Sequence, residues 1–396
     1  MSFDGACGKR PVFGVERSLC GCRWTGPDPA EDRLARAIAQ GAGLPDLVAR
    51  VLARRGVAPG RAEAYLRPTL RDLMPDPSSL RDMDAAAERL WRAVEAGERI
   101  AIFADYDVDG GASAALLLHW LRALGREATL YIPDRIAEGY GPNEPAMRML
   151  GQAHDLIICV DCGTLAHEPI AAAGCDVVVL DHHQGGETLP AAVAVVNPNR
   201  QDEERHLHYL CAAGVVFMLL VAVNRLMRQA GREGPDLLSA LDLVALATIA
   251  DVAPLHGLNR AFIRAGLAVM AQGLRPGLAA LAEVSRLSGP PGVHALGFVF
   301  GPRINAGGRI GAADLGARLL ATDDPHEAAM LAEKLDAFNG TRKDVEAAVR
   351  AAAEAQVEAR GTDGPLVWAA GEGWHPGVVG IVASRLKETY DRPAVV

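Results

Sequence analysis

The sequence has few features that would suit it to a membrane, an oxidising compartment or a nucleic-acid coat. In 396 residues the longest apolar run covers 211–223, too short to cross a bilayer, and it reads as a buried helix. The N-terminus lacks the basic-then-apolar pattern of a signal peptide, so the expected address is the cytoplasm, with no membrane partner. Seven cysteines, an odd and sparse number, argue against a disulfide framework. Cys7, Cys20 and Cys22 sit in a Gly/Pro-rich opening without a second pair at zinc spacing, and are expected to be reduced thiols. A basic surplus is also missing, since 40 Lys and Arg face 49 Asp and Glu for a net charge of −9. Proteins that grip duplex DNA through its backbone usually carry excess positive charge. An enzyme that meets a polyanion through metal ions and a local basic groove is not excluded, because bound cations invert the local sign.

What is present is a globular chain, half of it apolar and 22% charged, which rules out general disorder and is long enough for two or three domains. Residues 1–75 form an accessory segment, with a helical pattern over 28–71. A βα alternation follows. Short runs rich in Val, Ile and Leu occur at 99–104, 128–132, 155–160, 176–180 and 192–196, most of them separated by helical segments such as 112–124. Buried strands without clean alternation, joined by helical crossovers, require a parallel sheet covered on both faces. The expected fold is therefore α/β, a doubly wound parallel sheet over 76–258. Residues 259–360 read as helical, ending in one long helix or two in series over 327–360. A second α/β unit opens at 361–396 with a strand at 366–368 and a helix from Val378, and is expected to be incomplete.

The chemistry is concentrated after the strands. Asp105-Tyr106-Asp107-Val108-Asp109-Gly110-Gly111 follows the first strand directly. Residues at i, i+2 and i+4 of an extended segment point the same way, so three carboxylates are expected to converge at the strand's carboxyl end. Carboxylates so close repel unless a cation neutralises them. The third strand ends in Asp161-Cys162-Gly163 and the next in Asp181-His182-His183. One aspartate after a strand is usually a helix cap; successive units delivering Asp or His to one rim are not explained that way. Asp251 follows a strongly apolar helix at 237–250, where burying an unpaired charge costs several kcal/mol.

Carboxylates with one or two imidazoles suit Mn²⁺, with Mg²⁺, Zn²⁺ or Co²⁺ as competitors. Five aspartates and two histidines exceed what one ion needs. Two ions about 3.5–4 Å apart are the arrangement used to cleave phosphate esters. The expected reaction class is metal-assisted phosphoester or phosphoanhydride hydrolysis.

The set Asp105–Gly110, Val160-Asp161-Cys162-Gly163, Asp181-His182-His183 and Ala250-Asp251 resembles the four motifs of the DHH phosphoesterase superfamily. Within it the chain is most similar to the RecJ single-strand-specific exonucleases, through Ile132-Pro133-Asp134-Arg135, Glu138-Gly139-Tyr140-Gly141, the stretch from Gly301 to Arg309 and the stretch from Gly373 to Ala383. The resemblance implies that Asp107, Asp109, Asp161, His182 and Asp251 bind two divalent ions, Mn²⁺ or Mg²⁺, with Asp161 bridging and Asp105 ligating or supporting one of them. It implies that His183 contacts the scissile phosphate or orients a ligand. Arg135 and Tyr140 would hold the 5′ end of a strand, and Arg303, Asn305 and Arg309 would form a substrate-side patch across the cleft. It further implies that 76–258 is a DHH domain and 361–396 the opening of a DHHA1-like domain, and that partners are single-stranded DNA and DNA-repair proteins such as a helicase or a single-strand-binding protein. Where some relatives carry a histidine four residues before Asp107, this chain has Phe103, which leaves that role to Asp105 or a water.

The expected activity is a 5′→3′ exonuclease on single-stranded DNA, releasing 5′-mononucleotides in recombination and repair. A small-substrate phosphodiesterase or oligoribonuclease of the same superfamily is the alternative, and a non-catalytic scaffold the third reading. Retention of all the metal-competent residues counts against the scaffold.

Overall fold

Strands made of Val, Ile, Leu and Ala with no polar face can be satisfied only inside a sheet covered on both sides, and that burial organises the larger part of the chain. The computed structural model describes residues 11–26 and 28–396; Cys7 lies outside the described residues. Cys20 and Cys22 are exposed free thiols. The chain divides into two units, Met1–Asp72 and Leu73–Val396.

In the first unit, Asp28 caps α1 (Pro29–Ala42) through a capping box with Glu31. This helix packs on α2 (Asp46–Arg54) through Ala35, Ile38, Ala49 and Leu52.

The second unit opens with α3 (Met83–Ala96) and β1 (Ile100–Ala104), then α4 (Val108–Ala123), β2 (Ala128–Tyr131), α5 (Glu144–Ala153), β3 (Leu156–Val160), a short α6 (His167–Ala172), β4 (Asp176–Leu180) and β5 (Ala194–Val196). All five strands are parallel, in the order β2-β1-β3-β4-β5. Every residue of β1 and β3 is buried. On one face Phe103, Ile157, Cys159 and Val179 pack with Met147 and Leu150 of α5; α3 and α4 contact the sheet as well. Phe103 stacks on Tyr131 at 5.4 Å within this layer. The sheet is doubly wound, and its direction of growth reverses between β1 and β3. Open α/β sheets bind ligands at that reversal, outside the carboxyl ends of the strands.

Helix α7 (Ala212–Gln229) continues past the 211–223 apolar run. By length and composition alone it could cross a membrane, contrary to the expectation from the shorter run, but 72% of it is buried inside the protein. It is a core helix packed on α3 and α4. Helices α8 (Leu241–Ala250), α9 (Gly257–Met270) and α10 (Pro276–Val284) follow, then a π-turn at Leu296–Phe300 leading into α11 (Gly301–Ile310), and α12 (Leu315–Ala321).

The 327–360 pattern forms one unbroken helix, α13 (Pro325–Arg360). Its first half buries Leu331 and Leu335, and its second half buries Val349, Ala353 and Val357 in a separate core with Val367, Val378, Val382 and Leu386. That core joins β6 (Val367–Trp368), α14 (Pro376–Tyr390) and β7 (Ala394–Val395).

Candidate metal centre

Strand register sets the row of acids. Ala104 pairs with Val160 and Val160 with Leu180, so the next residues, Asp105, Asp161 and Asp181, stand side by side on the carboxyl rim. Asp161 adopts a left-handed backbone at φ 60°, a conformation costing on the order of 1–3 kcal/mol that is characteristic of functional sites.

The first motif is placed differently from the sequence expectation. Helix α4 begins at Val108, not near Ala112, so Asp105, Asp107 and Asp109 do not share one extended segment. Asp107 is the N-cap, its Oδ1 accepting from the amides of Asp109 (2.9 Å) and Gly110 (3.0 Å). Asp109 therefore lies in the first helical turn. Asp105 remains on the strand side. The turn closes because residue 110 is glycine: a Cβ there would lie 2.4 Å from the Asp105 carbonyl oxygen.

The structure brings the seven acid and imidazole groups together. Three sets have ligand-competent atoms within 4.8 Å of one another: Asp105, Asp107 and Asp161; Asp109, His182 and Asp251; and Asp161, His182 and His183. Asp161 and His182 each belong to two sets. His182 Nε2 lies 3.2 Å from Asp161 and 3.6 Å from Asp109, and its Nδ1 lies 3.8 Å from Asp251. Asp251 is the C-cap of α8. His183 Nδ1 donates to Asp181 at 2.8 Å, and the Tyr140 hydroxyl lies 3.3 Å from its Nε2.

The donor set fits divalent cations on an observation independent of spacing. Oδ1 of Asp105 and Oδ1 of Asp161 are buried without a hydrogen-bond partner, an arrangement that costs free energy unless a cation completes it. Burial, with Asp107 beside it, pushes the Asp105 carboxyl up to about 7. Burial and the neighbouring Asp109 do the same for Asp251, also to about 7. Burial, and after it Asp109, hold Asp161 well above the usual carboxylate range. Asp181 behaves oppositely: burial raises it, but the hydrogen bond and charge of His183 together with the hydrogen bonds from Thr164 outweigh that and leave it low. A pocket of acids that cannot all ionise in isolation lacks positive charge, which metal ions supply.

The residues expected on the substrate side divide into two groups. Arg135 lies over the Tyr106 ring at 5.3 Å. Arg309 donates to the Gly377 carbonyl at 3.0 Å, and its pKa is lowered by burial and then by Arg135. The two guanidiniums share a cavity of about 500 Å³ with Gly377, Ile381 and Ser384. Tyr140 is exposed at the mouth of the pocket, its hydroxyl 3.3 Å from the Asp161 carbonyl oxygen. Arg303 and Asn305 make contacts within the protein. Arg303 pairs with Asp336 on α13 at 2.8 Å and donates to the Val299 carbonyl. Asn305 Oδ1 accepts the Val108 amide at 3.0 Å, so it caps α4 and supports the first motif. Sequence spacing gave no sign of this, because the partners are 33 and 197 residues away.

Comparison with known proteins agrees with this geometry. Residues 99–248 match the model of the DHH family, N-terminal domain. The single-stranded-DNA-specific exonuclease RecJ of Bacillus subtilis is 37% identical over 379 residues, covering 94% of this chain and 47% of the relative. That of Salmonella typhimurium is 39% identical over 373 residues, covering 89% and 64%. A solved exonuclease RecJ bound to manganese superposes with a TM-score of 0.70 at 36% identity, covering 80% of each chain.

The chain belongs to the RecJ family of DHH phosphoesterases.

A second RecJ-family structure, from Thermus thermophilus in complex with Mn²⁺, matches with a TM-score of 0.78 at 33% identity over 92% of this chain and 52% of that one. The chain spans about half to two-thirds of the length of these curated relatives. Phe103, where some DHH relatives carry a histidine, is buried in the sheet and gives the pocket no ligand; the unpartnered Asp105 oxygen lies at the rim beside it.

Proposed function

We propose that this chain carries the catalytic centre of a metal-dependent, single-stranded-DNA-specific 5′→3′ exonuclease that releases 5′-mononucleotides during recombination and repair. The observation that carries the reading is the convergence of seven acid and imidazole groups, two of them with orphaned buried oxygens, at the reversal point of the sheet. Asp105, Asp107 and Asp161 would hold one ion; Asp109, His182 and Asp251 would hold the other, with Asp161 between them. Mn²⁺ or Mg²⁺ bound there would supply a hydroxide nucleophile and charge neutralisation for the phosphoryl and leaving oxygens.

The chain's own residues account for the rest. His183 Nδ1 donates to Asp181, which turns Nε2 toward Tyr140 and the pocket; that carboxylate also favours the protonated ring, whose Nε2–H would donate to a phosphate oxygen. Arg135 and Arg309 have no carboxylate salt-bridge partner among the described residues and offer planar forks to the backbone of a strand. Tyr140, exposed at the mouth, offers a stacking face to a terminal base. The segment 361–396 is assigned to a DHHA1-like unit, which would set Gly377 and Ser384 beside the arginine pair. Repair in the cytoplasm would require a helicase to expose the strand and a single-strand-binding protein to hold it, and these are the expected partner types.

The test is a gel that follows 5′- and 3′-labelled single strands with Mn²⁺ and with EDTA. Mononucleotides released from the 5′ end only with metal support the reading. Cleavage of dinucleotides alone would assign a small-substrate phosphodiesterase instead.

A further inference from the structure

We propose that Asn197 and Asn199, flanking Pro198 just after β5, are positioning residues that lock the His182–His183 loop and the Asp161 loop into one register for metal binding. The inference rests on the metal-dependent reading above.

The sheet places them there. Leu180 pairs with Val196, so Asn197 follows its strand on the same rim as Asp181, extending the row of acids by one uncharged member. Both side chains are buried, Asn197 completely. Asn197 Oδ1 accepts the Asn199 amide at 2.8 Å, which turns its Nδ2 toward two acceptors, the Thr164 hydroxyl and the His183 carbonyl, each at 2.8 Å. Asn199 Nδ2 donates to the His182 carbonyl at 2.6 Å. The carbonyls of both histidines are thus held by amide groups from one turn, and the Asn199 carbonyl closes the loop by accepting Gly185 N–H at 3.1 Å.

The same turn ties in Asp161. Thr164, three residues after it, gives its amide to Asp181 Oδ2 at 3.0 Å and its hydroxyl oxygen to Asn197. Buried Arg200 braces the turn from behind, donating to the Val195 carbonyl and to Asp82, both at 2.7 Å. His182 and Asp161 each lie in two of the three ligand sets, so a rotation of either loop alters two of them. Groups that orient metal ligands typically alter metal affinity by about 10–100-fold when removed.

The experiment titrates the full chain with MnCl₂ alone, reading free Mn²⁺ by electron paramagnetic resonance, beside thermal melting and single-strand digestion. Asn199→Ala and Thr164→Val should weaken Mn²⁺ binding by about 10–100-fold and lower kcat while leaving KM for the strand unchanged. Thr164→Ser, which keeps the accepting oxygen, should restore affinity to near the starting value. If Asn199→Ala does not fold, the Thr164→Val and Thr164→Ser pair decides. Folded variants with unchanged Mn²⁺ affinity would overturn the proposal, as would equal losses in Thr164→Val and Thr164→Ser. Failure of the unsubstituted chain to bind Mn²⁺ would instead remove the metal-dependent reading beneath it.

Discussion

Asp109 Oδ2 accepts a hydrogen bond from the Ala212 amide at 2.6 Å, while its Oδ1 takes the next amide, of Ala213, at 2.8 Å. These are the first two residues of α7, so a fully buried carboxylate sits on the positive end of an 18-residue helix. The most apolar run in the chain thereby acquires a role in the site. Burying α7 brings its N-terminus to the pocket, where it steadies one ligand and leaves that carboxylate capacity toward His182 and Asp251.

This contrast between acids predicts different outcomes for similar substitutions. Asp109→Ala strands two buried amides and should lower stability by about 1–3 kcal/mol, besides abolishing Mn²⁺-dependent digestion. Asp161→Asn should abolish digestion too, yet leave the metal-free melting temperature unchanged or higher, since Oδ1 of Asp161 makes no hydrogen bond and burial penalises its charged form. Melting curves with oligonucleotide digestion on both variants check this. Digestion at full rate by either would contradict the ligand assignment.

The raised acids set a pH dependence for the metal-free chain. Asp105 and Asp251, at about 7 in the folded protein, bind protons more tightly folded than unfolded, where they titrate near 4. Stability then falls as pH rises between those values. The melting temperature in EDTA should drop between pH 5 and pH 8, and saturating Mn²⁺ should remove most of that slope. A metal-free melting temperature that rises over the same interval would contradict the burial of these groups.

Arginines that look alike in sequence should separate in kinetics. Arg135→Ala and Arg309→Ala each remove a fork without a carboxylate partner, and each should raise KM for single strands by about 10–100-fold, the equivalent of about 1.5–3 kcal/mol for a charged hydrogen bond. Arg303→Ala breaks the pair with Asp336 and should cost about 1 kcal/mol of stability with KM unchanged. Steady-state digestion and denaturant melts on the three variants distinguish the roles.

The strands and the rim residues were legible because a parallel sheet buried on both faces leaves continuous Val, Ile and Leu runs, and an acid directly after such a run has only the carboxyl edge to occupy. The start of α4 was not. Alternating aspartates read as one extended segment, whereas here Asp107 caps the helix and Gly110 permits its close approach to Asp105. The contacts of Asn305 and Arg303 were illegible for a different reason: their partners, Val108 and Asp336, come from other parts of the fold, and no local pattern reports such pairing. The same holds for the seat of Asp109 on α7, set by tertiary packing across 103 residues.

Diffraction from crystals soaked in Mn²⁺, measured at the manganese absorption edge, reads the pocket itself. Two anomalous peaks about 3.5–4 Å apart, one against Asp105 and Asp107 and the other against Asp109, His182 and Asp251, with Asp161 touching both, are the expected result. No peak among these residues, or a single ion with Asp161 facing away from it, would contradict the account.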